Sequence, residues 1–351
     1  MIALHHAWDD LPTELESPEG GSSRYINEGV KLAAIVVDLE SKMRNESYSR
    51  PLRRLLSHVT GSDSLTGYFG ARGRARARTE SAYERVVSAY SGTEEDVDVA
   101  FWNVEWFNRH VSAKVDAVAQ IIADINVDIW ALSETSPQTT QVLVEHLQAE
   151  YGQTFEWAAS EPDASSGKQS TTVLWNPSTV KGERLEWPEE IDAVLRMDSR
   201  DVTSTTLEAV DGKIFNRYPG LFRFSALDRS EGAAFDFNLV PLHLKAMAEG
   251  AKRRRLASEV LTWAVREMIA HHGADEDWIL GGDINAELAT GQFDALRGDG
   301  FVALSAEDED DGAMSYLKGP KSLIDSIFLS PNLSQRFGAK DFFLYAVDES
   351  T

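Results

Sequence analysis

Residues 277–287 read DWILGGDINAE. A short apolar run, 278–280, enters Gly281 and Gly282 and then presents Asp283 and Asn285. Glycines at that point let the backbone turn sharply and let another group come close. A buried strand ending in a carboxylate and an amide makes a poor core and a good rim. The pattern recurs at other strand ends: Asn103 and Glu105 close one apolar run, Glu134 a second, His243 and Lys245 a third, and Asp325 interrupts a fourth. Carboxylate and amide oxygens are the ligands that Mg²⁺ prefers, and it commonly takes one or two carboxylates together with substrate phosphate and water. With charge neutralised in that way, cleavage of a phosphoester needs an oriented water, a base and an acid for the leaving group. The chemistry indicated is metal-assisted phosphoester cleavage, with Mg²⁺ as cofactor and Mn²⁺ or Ca²⁺ as substitutes.

Taken singly, these residues have plainer explanations. Glu134 suits a helix start, where the macrodipole favours an acid. Asp283 and Asn285 are turn formers, a lone His243 is more often a satisfied core histidine, and Asp325 has Lys318 and Lys321 nearby as ion-pair partners. Polar residues at the end of every predicted major strand favour the joint reading.

The elements that must position these residues are legible from period and length. Strands are expected at 97–104 (VDVAFWNV), 128–132 (DIWAL), 171–175 (TTVLW, closed by Asn176-Pro177), 235–245 (FDFNLVPLHLK) and 322–329 (SLIDSIFL). Alternation along 235–245 sets Phe235, Phe237, Leu239, His243 and Lys245 on one face, provided Pro241 adds no bulge. Helices are expected at 114–125, where Val115, Val118, Ile121, Ile122 and Ile125 have helical spacing, at 139–148, and at 253–271 with a basic start. Strands alternate with helices early, whereas 171–245 is mostly strand. That mixture predicts an α+β fold of two packed sheets with helices outside, not a doubly wound parallel sheet. Neither a dinucleotide fingerprint nor a phosphate-binding glycine loop is present.

Residues 1–95 read as a separate extension, mainly helical or partly disordered, ahead of a domain over 96–351. Stretch 9–23 is acidic and rich in Pro, Gly and Ser, and helices are expected at 30–43, 50–59 and 83–90. The basic runs 72–78 (RGRARAR) and 252–255 (KRRR) suit either a solvated face or a contact with a polyanion. Cations at a helix start oppose the macrodipole, so the second run needs a further reason. Trp102, Trp106, Trp130 and Trp278 are expected in the core and not as base-stacking platforms. The DEDD run 308–311 lacks the spacing of a calcium loop and reads as a solvated acidic loop.

Composition sets the remaining bounds. The 42% hydrophobic and 26% charged residues are those of a globular protein. There is no cysteine, which excludes disulfides and thiolate metal sites. No signal peptide and no membrane-length apolar run are visible, so a cytoplasmic protein without a membrane partner is expected. The formal net charge of −23 opposes non-specific nucleic-acid binding but leaves a nuclease open, because cations or a local basic strip offset it. Oligomeric state is not fixed by these features.

Several motifs together resemble one family. Phe101-Trp102-Asn103-Val104-Glu105-Trp106, Leu132-Ser133-Glu134-Thr135, Leu242-His243-Leu244-Lys245-Ala246, Gly281-Gly282-Asp283-Ile284-Asn285-Ala286 and Leu323-Ile324-Asp325-Ser326-Ile327 occur in the order seen in the endonuclease/exonuclease/phosphatase superfamily, the DNase I-like fold. Asn216-Arg217-Tyr218-Pro219 resembles the segment often found ahead of its histidine-bearing strand. The match runs from about residue 97 to the C-terminus. It implies a four-layer α/β/β/α sandwich and divalent-metal phosphoester hydrolysis. By position, Glu134 is similar to the family's principal metal ligand and Asn103 to its partner at metal and phosphate, with Glu105 where an acidic residue is frequent. His243 resembles the histidine at the leaving group or phosphate. Asp283 resembles the residue that activates water, Asn285 the one that orients phosphate, and Arg217 and Lys245 phosphate contacts.

The chain departs from that pattern in one place. The family usually finishes with Ser-Asp-His, whose His transfers the proton or stabilises the transition state and is oriented by the Asp that Asp325 resembles, and none of the eight histidines here follows Asp325. A fragment without its last strand, a site completed by another group and an inactive homologue all accommodate this. The expectation is weak or absent catalysis with Mg²⁺ binding retained, since losing a general acid or base costs about 10²–10⁴-fold in rate. Three functions follow: a phosphodiesterase acting on DNA or RNA, a phosphomonoesterase on a small substrate, and a non-catalytic binding module.

Overall fold

The computed structural model describes residues 3–4, 33–38, 92, 97–109, 111–163, 168–202, 212–226, 235–316, 321–338 and 342–346. Two short strands, β1 (Ala3–Leu4) and β2 (Ala33–Asp38), precede β3 (Asp98–Asn103), all of whose residues are buried. Helix α1 (Val111–Ile125) buries Val118, Ile121, Ile122 and Ile125, one apolar stripe at helical spacing. It leads to β4 (Ile129–Thr135), buried throughout. Helix α2 (Pro137–Tyr151) starts at a Ser136–Thr139 capping box with proline in its first turn, and stops at Gly152 in the left-handed region. Strands β5 (Glu156–Ala159), β6 (Ser170–Trp175) and β7 (Val180–Leu185) follow, then helix α3 (Glu189–Leu195) and strands β8 (Leu221–Ala226) and β9 (Asp236–His243). Helix α4 (Ala251–His271) crosses to β10 (Trp278–Asp283). The rest comprises α5 (Asp294–Gly298), β11 (Val302–Ala303), α6 (Ala306–Asp310), β12 (Asp325–Leu329), α7 (Pro331–Ser334) and β13 (Phe342–Ala346).

The strands form two mixed sheets. One runs β13-β2-β1-β3-β4-β6-β5, the other β11-β12-β10-β9-β8-β7. At the centre of each lies a parallel pair, β3 with β4 and β9 with β10, joined by α1 and α4 respectively. Parallel pairing puts the C-terminal ends of both strands on one edge, where open α/β sheets usually hold ligands. Between the sheets pack Val99, Phe101, Ile129 and Ala131 from one side, and Phe237, Leu239, Ile279, Ile327 and Leu329 from the other. The opposite faces carry helices: Trp102, Trp130 and Leu132 pack with α1 and α2, and Val240, Leu242, Trp278 and Leu280 with α4. This is the expected four-layer α/β/β/α sandwich. Each fully buried large apolar side chain contributes ~1.5–3 kcal/mol. The sheets approach closely at Gly281, where a Cβ would meet Phe101 at 3.0 Å.

Some local expectations change. Ala33–Asp38, read as part of a helix, is a strand antiparallel to β3; its Ile35-Val36-Val37 run is β-branched and prefers the extended backbone. The segments 50–59, 72–78 and 83–90 lie outside the described residues. Helix α3 interrupts the stretch expected to be mostly strand. The acidic run at 308 is not a loop but lies on the short α6, whose Glu309 carboxylate accepts from the Leu288 and Ala289 amides at 2.7 and 2.8 Å. Those amides begin a 3-10 turn, so the acid caps a neighbouring helical end. Among the described residues, no helix is long and apolar enough to cross a membrane.

Candidate active site

Four of the site side chains arrive by simple strand alternation. In β3, Phe101 faces the opposite sheet, and Asn103 follows it. In β9, Phe237 and Leu239 face inward and His243 continues that face. The β9–β10 register is unbroken from Asn238 to His243, so Pro241 introduces no bulge. In β10, Ile279 and Gly281 lead to Asp283, and in β12 Leu329 and Ile327 lead to Asp325, directly across from Asp283. Glu134 is different. Alternation after Leu132 would send it to the helix layer, but the β4–β6 register shifts between Leu132 and Thr135, and Glu134 has φ +61°. This bulge re-aims the carboxylate.

The result is a buried polar cluster spanning both sheets. Asn103 Nδ2 donates to Asp283 Oδ2 at 2.9 Å and to Glu134 Oε1 at 3.3 Å. His243 Nε2 lies 3.5 Å from Asp283 Oδ2 and 3.9 Å from Glu134 Oε1. Glu134 Oε2 accepts from the Trp106 amide at 2.9 Å and from Gln169 Nε2 at 2.8 Å. Arg217 Nη2 in turn donates to Gln169 Oε1 at 3.3 Å. The Glu105 amide donates to Asn103 Oδ1 at 3.0 Å, and the Glu105 carbonyl accepts from Lys114 Nζ. Asp283 Oδ1 accepts from the Asn285 amide at 3.0 Å, while Asn285 Nδ2 donates to the Leu244 carbonyl. Glu105, Trp106, Glu134 and Asn285 all have positive φ without being glycine. Such backbone costs of order 1–3 kcal/mol each and gathers at functional sites.

The structure thus brings Asn103, Glu134, His243 and Asp283 together. Glu105 and Asn285 attach through their backbones, Arg217 through Gln169, and Asp325 through its place beside β10. The Cγ of Lys245, two residues past His243, lies beside Gly250. The KRRR expectation also changes. Arg253 and Arg254 are buried; Arg253 donates to the Lys213 carbonyl and to Asn216 Oδ1, and Arg254 to the Lys245 and Met247 carbonyls and Gln292. They fasten the loops flanking the site, which is the reason for cations at a helix start. Burial holds both guanidinium pKa values below their usual range, with Asp283 pulling that of Arg254 back up. Trp106 was expected in the core and is 38% exposed. Gln169 has no motif to announce it, because its contact with Glu134 crosses a loop.

Beyond Arg217 lies a cleft of about 360 Å³ lined by Glu161, Asp163, Arg196, Phe215, Asn216 and Tyr218, among others. Arg196 lies over the Tyr218 ring and binds Glu161 and Asp192, and these two carboxylates are held below their ordinary range chiefly by that hydrogen bonding. Burial, then the Asp192 hydrogen bond, pushes the Tyr218 hydroxyl pKa up.

Among the described residues, no three His, Asp or Glu side chains form a preassembled metal cage. The residue that could nevertheless hold a divalent cation is Glu134. Glu134 has one oxygen fixed by two N–H donors and the other turned toward Asn103 and His243. A single oriented carboxylate, completed by waters and substrate phosphate, is the way Mg²⁺ is usually held.

Residues 100–341 match the sequence profile of the Endonuclease/Exonuclease/phosphatase family. The chain belongs to this family. Structures that resemble it include humanized D. rerio TDP2, at 15% identity and TM-score 0.43 over 67% of this chain and 83% of that one. The human Nocturnin catalytic domain with bound sulfate matches at 14% identity and TM-score 0.43, over 67% and 81%. A mannosyl-6-phosphatase from Bacteroides thetaiotaomicron matches at 16% and 0.39, over 63% and 78%. No curated protein matches at the sequence level. Members of the Endonuclease/Exonuclease/phosphatase family hydrolyse phosphoesters.

Proposed function

We propose that the chain is a Mg²⁺-dependent phosphodiesterase of nuclease type. The observation that carries this is the convergence of His243, Asp283 and Glu134 within 3.9 Å, from three strands and two sheets, with Asn103 bonded to both carboxylates. Glu134, with Asn103 and Glu105 beside it, would hold the cation, which supplies charge neutralisation at the phosphate. Turning its amide over would present the Asn103 oxygen to the cation. Asp283 accepts a proton from water as the water oxygen bonds to phosphorus. The bond to the leaving oxygen breaks, and that oxygen takes a proton from His243. Asn285 and Arg217 orient the phosphate, and Asp325 supports the Asp283 strand.

Of the four described histidines, His146, His271 and His272 pair with Asp116, Glu267 and Glu190, and only His243 faces the cluster. We assign proton transfer to the leaving group to His243.

The test is hydrolysis of bis-p-nitrophenyl phosphate, single- and double-stranded DNA, RNA and a phosphomonoester. Turnover of a diester that needs Mg²⁺, stops with EDTA and falls ~10²–10⁴-fold in Glu134→Gln, His243→Asn or Asp283→Asn supports the reading. Diester turnover unchanged in all three variants would overturn it. The charge of −23 favours one second reading, a phosphomonoesterase on a small substrate; turnover of the monoester alone selects it.

A further inference from the structure

Trp106 is held outside the core by its neighbours. Phe107 is fully buried against α1 and α2, anchoring the segment. The Trp106 amide donates to the Glu134 carboxylate, and the Asn108 amide to the Glu134 carbonyl at 2.9 Å. The Arg109 amide closes a turn onto the Trp106 carbonyl at 3.0 Å. Glu105 and Trp106 are consecutive positive-φ residues, at +32° and +56°, a conformation that bulky side chains seldom adopt. An isolated exposed apolar side chain needs no explanation. An indole projected by strained backbone, one hydrogen bond from the candidate metal-binding carboxylate, does. The Arg109 guanidinium lies over the ring at 4.5 Å, so the indole already accepts a flat cationic partner.

We infer that Trp106 is a stacking platform for a nucleobase adjacent to the scissile phosphate of a single-stranded nucleic acid, with Arg109 beside it for the backbone phosphate. This rests on the phosphodiesterase reading and narrows its substrate. Every base offers a π-face, so such a platform tolerates any sequence, and Arg supplements it by cation–π contact and charge. On a chain of net charge −23, stacking supplies attraction that the overall field does not.

The experiment is equilibrium binding of fluorescent oligonucleotides in EDTA at low ionic strength, where no cleavage occurs. Oligothymidine and oligouridine of ten nucleotides are each compared with an abasic strand of the same length. Wild type is expected to bind the base-bearing strands about tenfold or more tightly than the abasic strand. Trp106→Ala should bind all three alike, and Trp106→Phe should keep part of the difference. A wild type that binds neither strand or does not discriminate overturns the inference without any variant. So does a Trp106→Ala protein that still discriminates. Hydrolysis of bis-p-nitrophenyl phosphate, which offers no nucleobase, tests the phosphodiesterase reading separately: its success alongside failed discrimination removes the platform alone.

Discussion

Gln169 does the least conspicuous work at the cluster. It donates to Glu134 and accepts from Arg217, so it ties the strained carboxylate to the proposed phosphate contact. Residues that orient a metal ligand typically carry a 10–100-fold share of metal affinity. Gln169→Ala should therefore weaken Mn²⁺ binding about 10–100-fold in calorimetric titration, with an unchanged melting profile in EDTA; equal affinity would deny it that role. His243, Asp283 and Asn103 were legible because strand alternation alone aims them. Glu134 reaches its place by a bulge that no pattern announces; its strand-end position and its motif marked it, not alternation. Gln169 had neither alternation nor motif, since its partner lies 35 positions away.

At the scale of elements, the end of β10 depends on a missing side chain. Gly282 has φ +128°, and a Cβ there would sit 2.4 Å from the Leu242 carbonyl oxygen. Gly282→Ala should cost at least ~3 kcal/mol in urea unfolding. Gly152→Ala, at φ +68° with open space around it, should cost only ~1 kcal/mol. Equal losses would show that the end of β10 relaxes. A second prediction concerns α6, where burial, and next Asp311, push Asp308 up to about 6. The folded pKa exceeds the unfolded value, so the folded protein holds that proton more tightly. The contribution is favourable below about pH 4 and is lost as pH rises toward 6. Asp308→Asn should therefore melt higher than wild type at pH 7, by roughly 1 kcal/mol after solvent screening, and match it near pH 4. The central strands and α1, α2 and α4 were readable because their periods are regular over many residues. α3 and α6 are too short for periodicity to register, and Ala33–Asp38 was apolar enough to suit either backbone until its β-branched run is weighted.

At the scale of the whole molecule, the two parallel pairs face each other, and their C-terminal ends supply one cluster. The four-layer architecture was legible because strand-rich and helix-alternating regions both occur in one chain. How far apart in sequence the contributing ends lie became clear only in three dimensions.

The Asn103–Asp283 hydrogen bond joins positions 180 residues apart and crosses from one sheet to the other. Neither half of the sandwich holds the whole of the proposed centre. A slip of about 1 Å between the sheets would separate the groups proposed to react while leaving each sheet's internal ladder intact. Dilute urea should accordingly silence turnover before far-UV circular dichroism changes; simultaneous loss would mean that the halves part only when they melt. Enzymatic rate then becomes a gauge of seam alignment, finer than any spectroscopic signal averaged over the backbone.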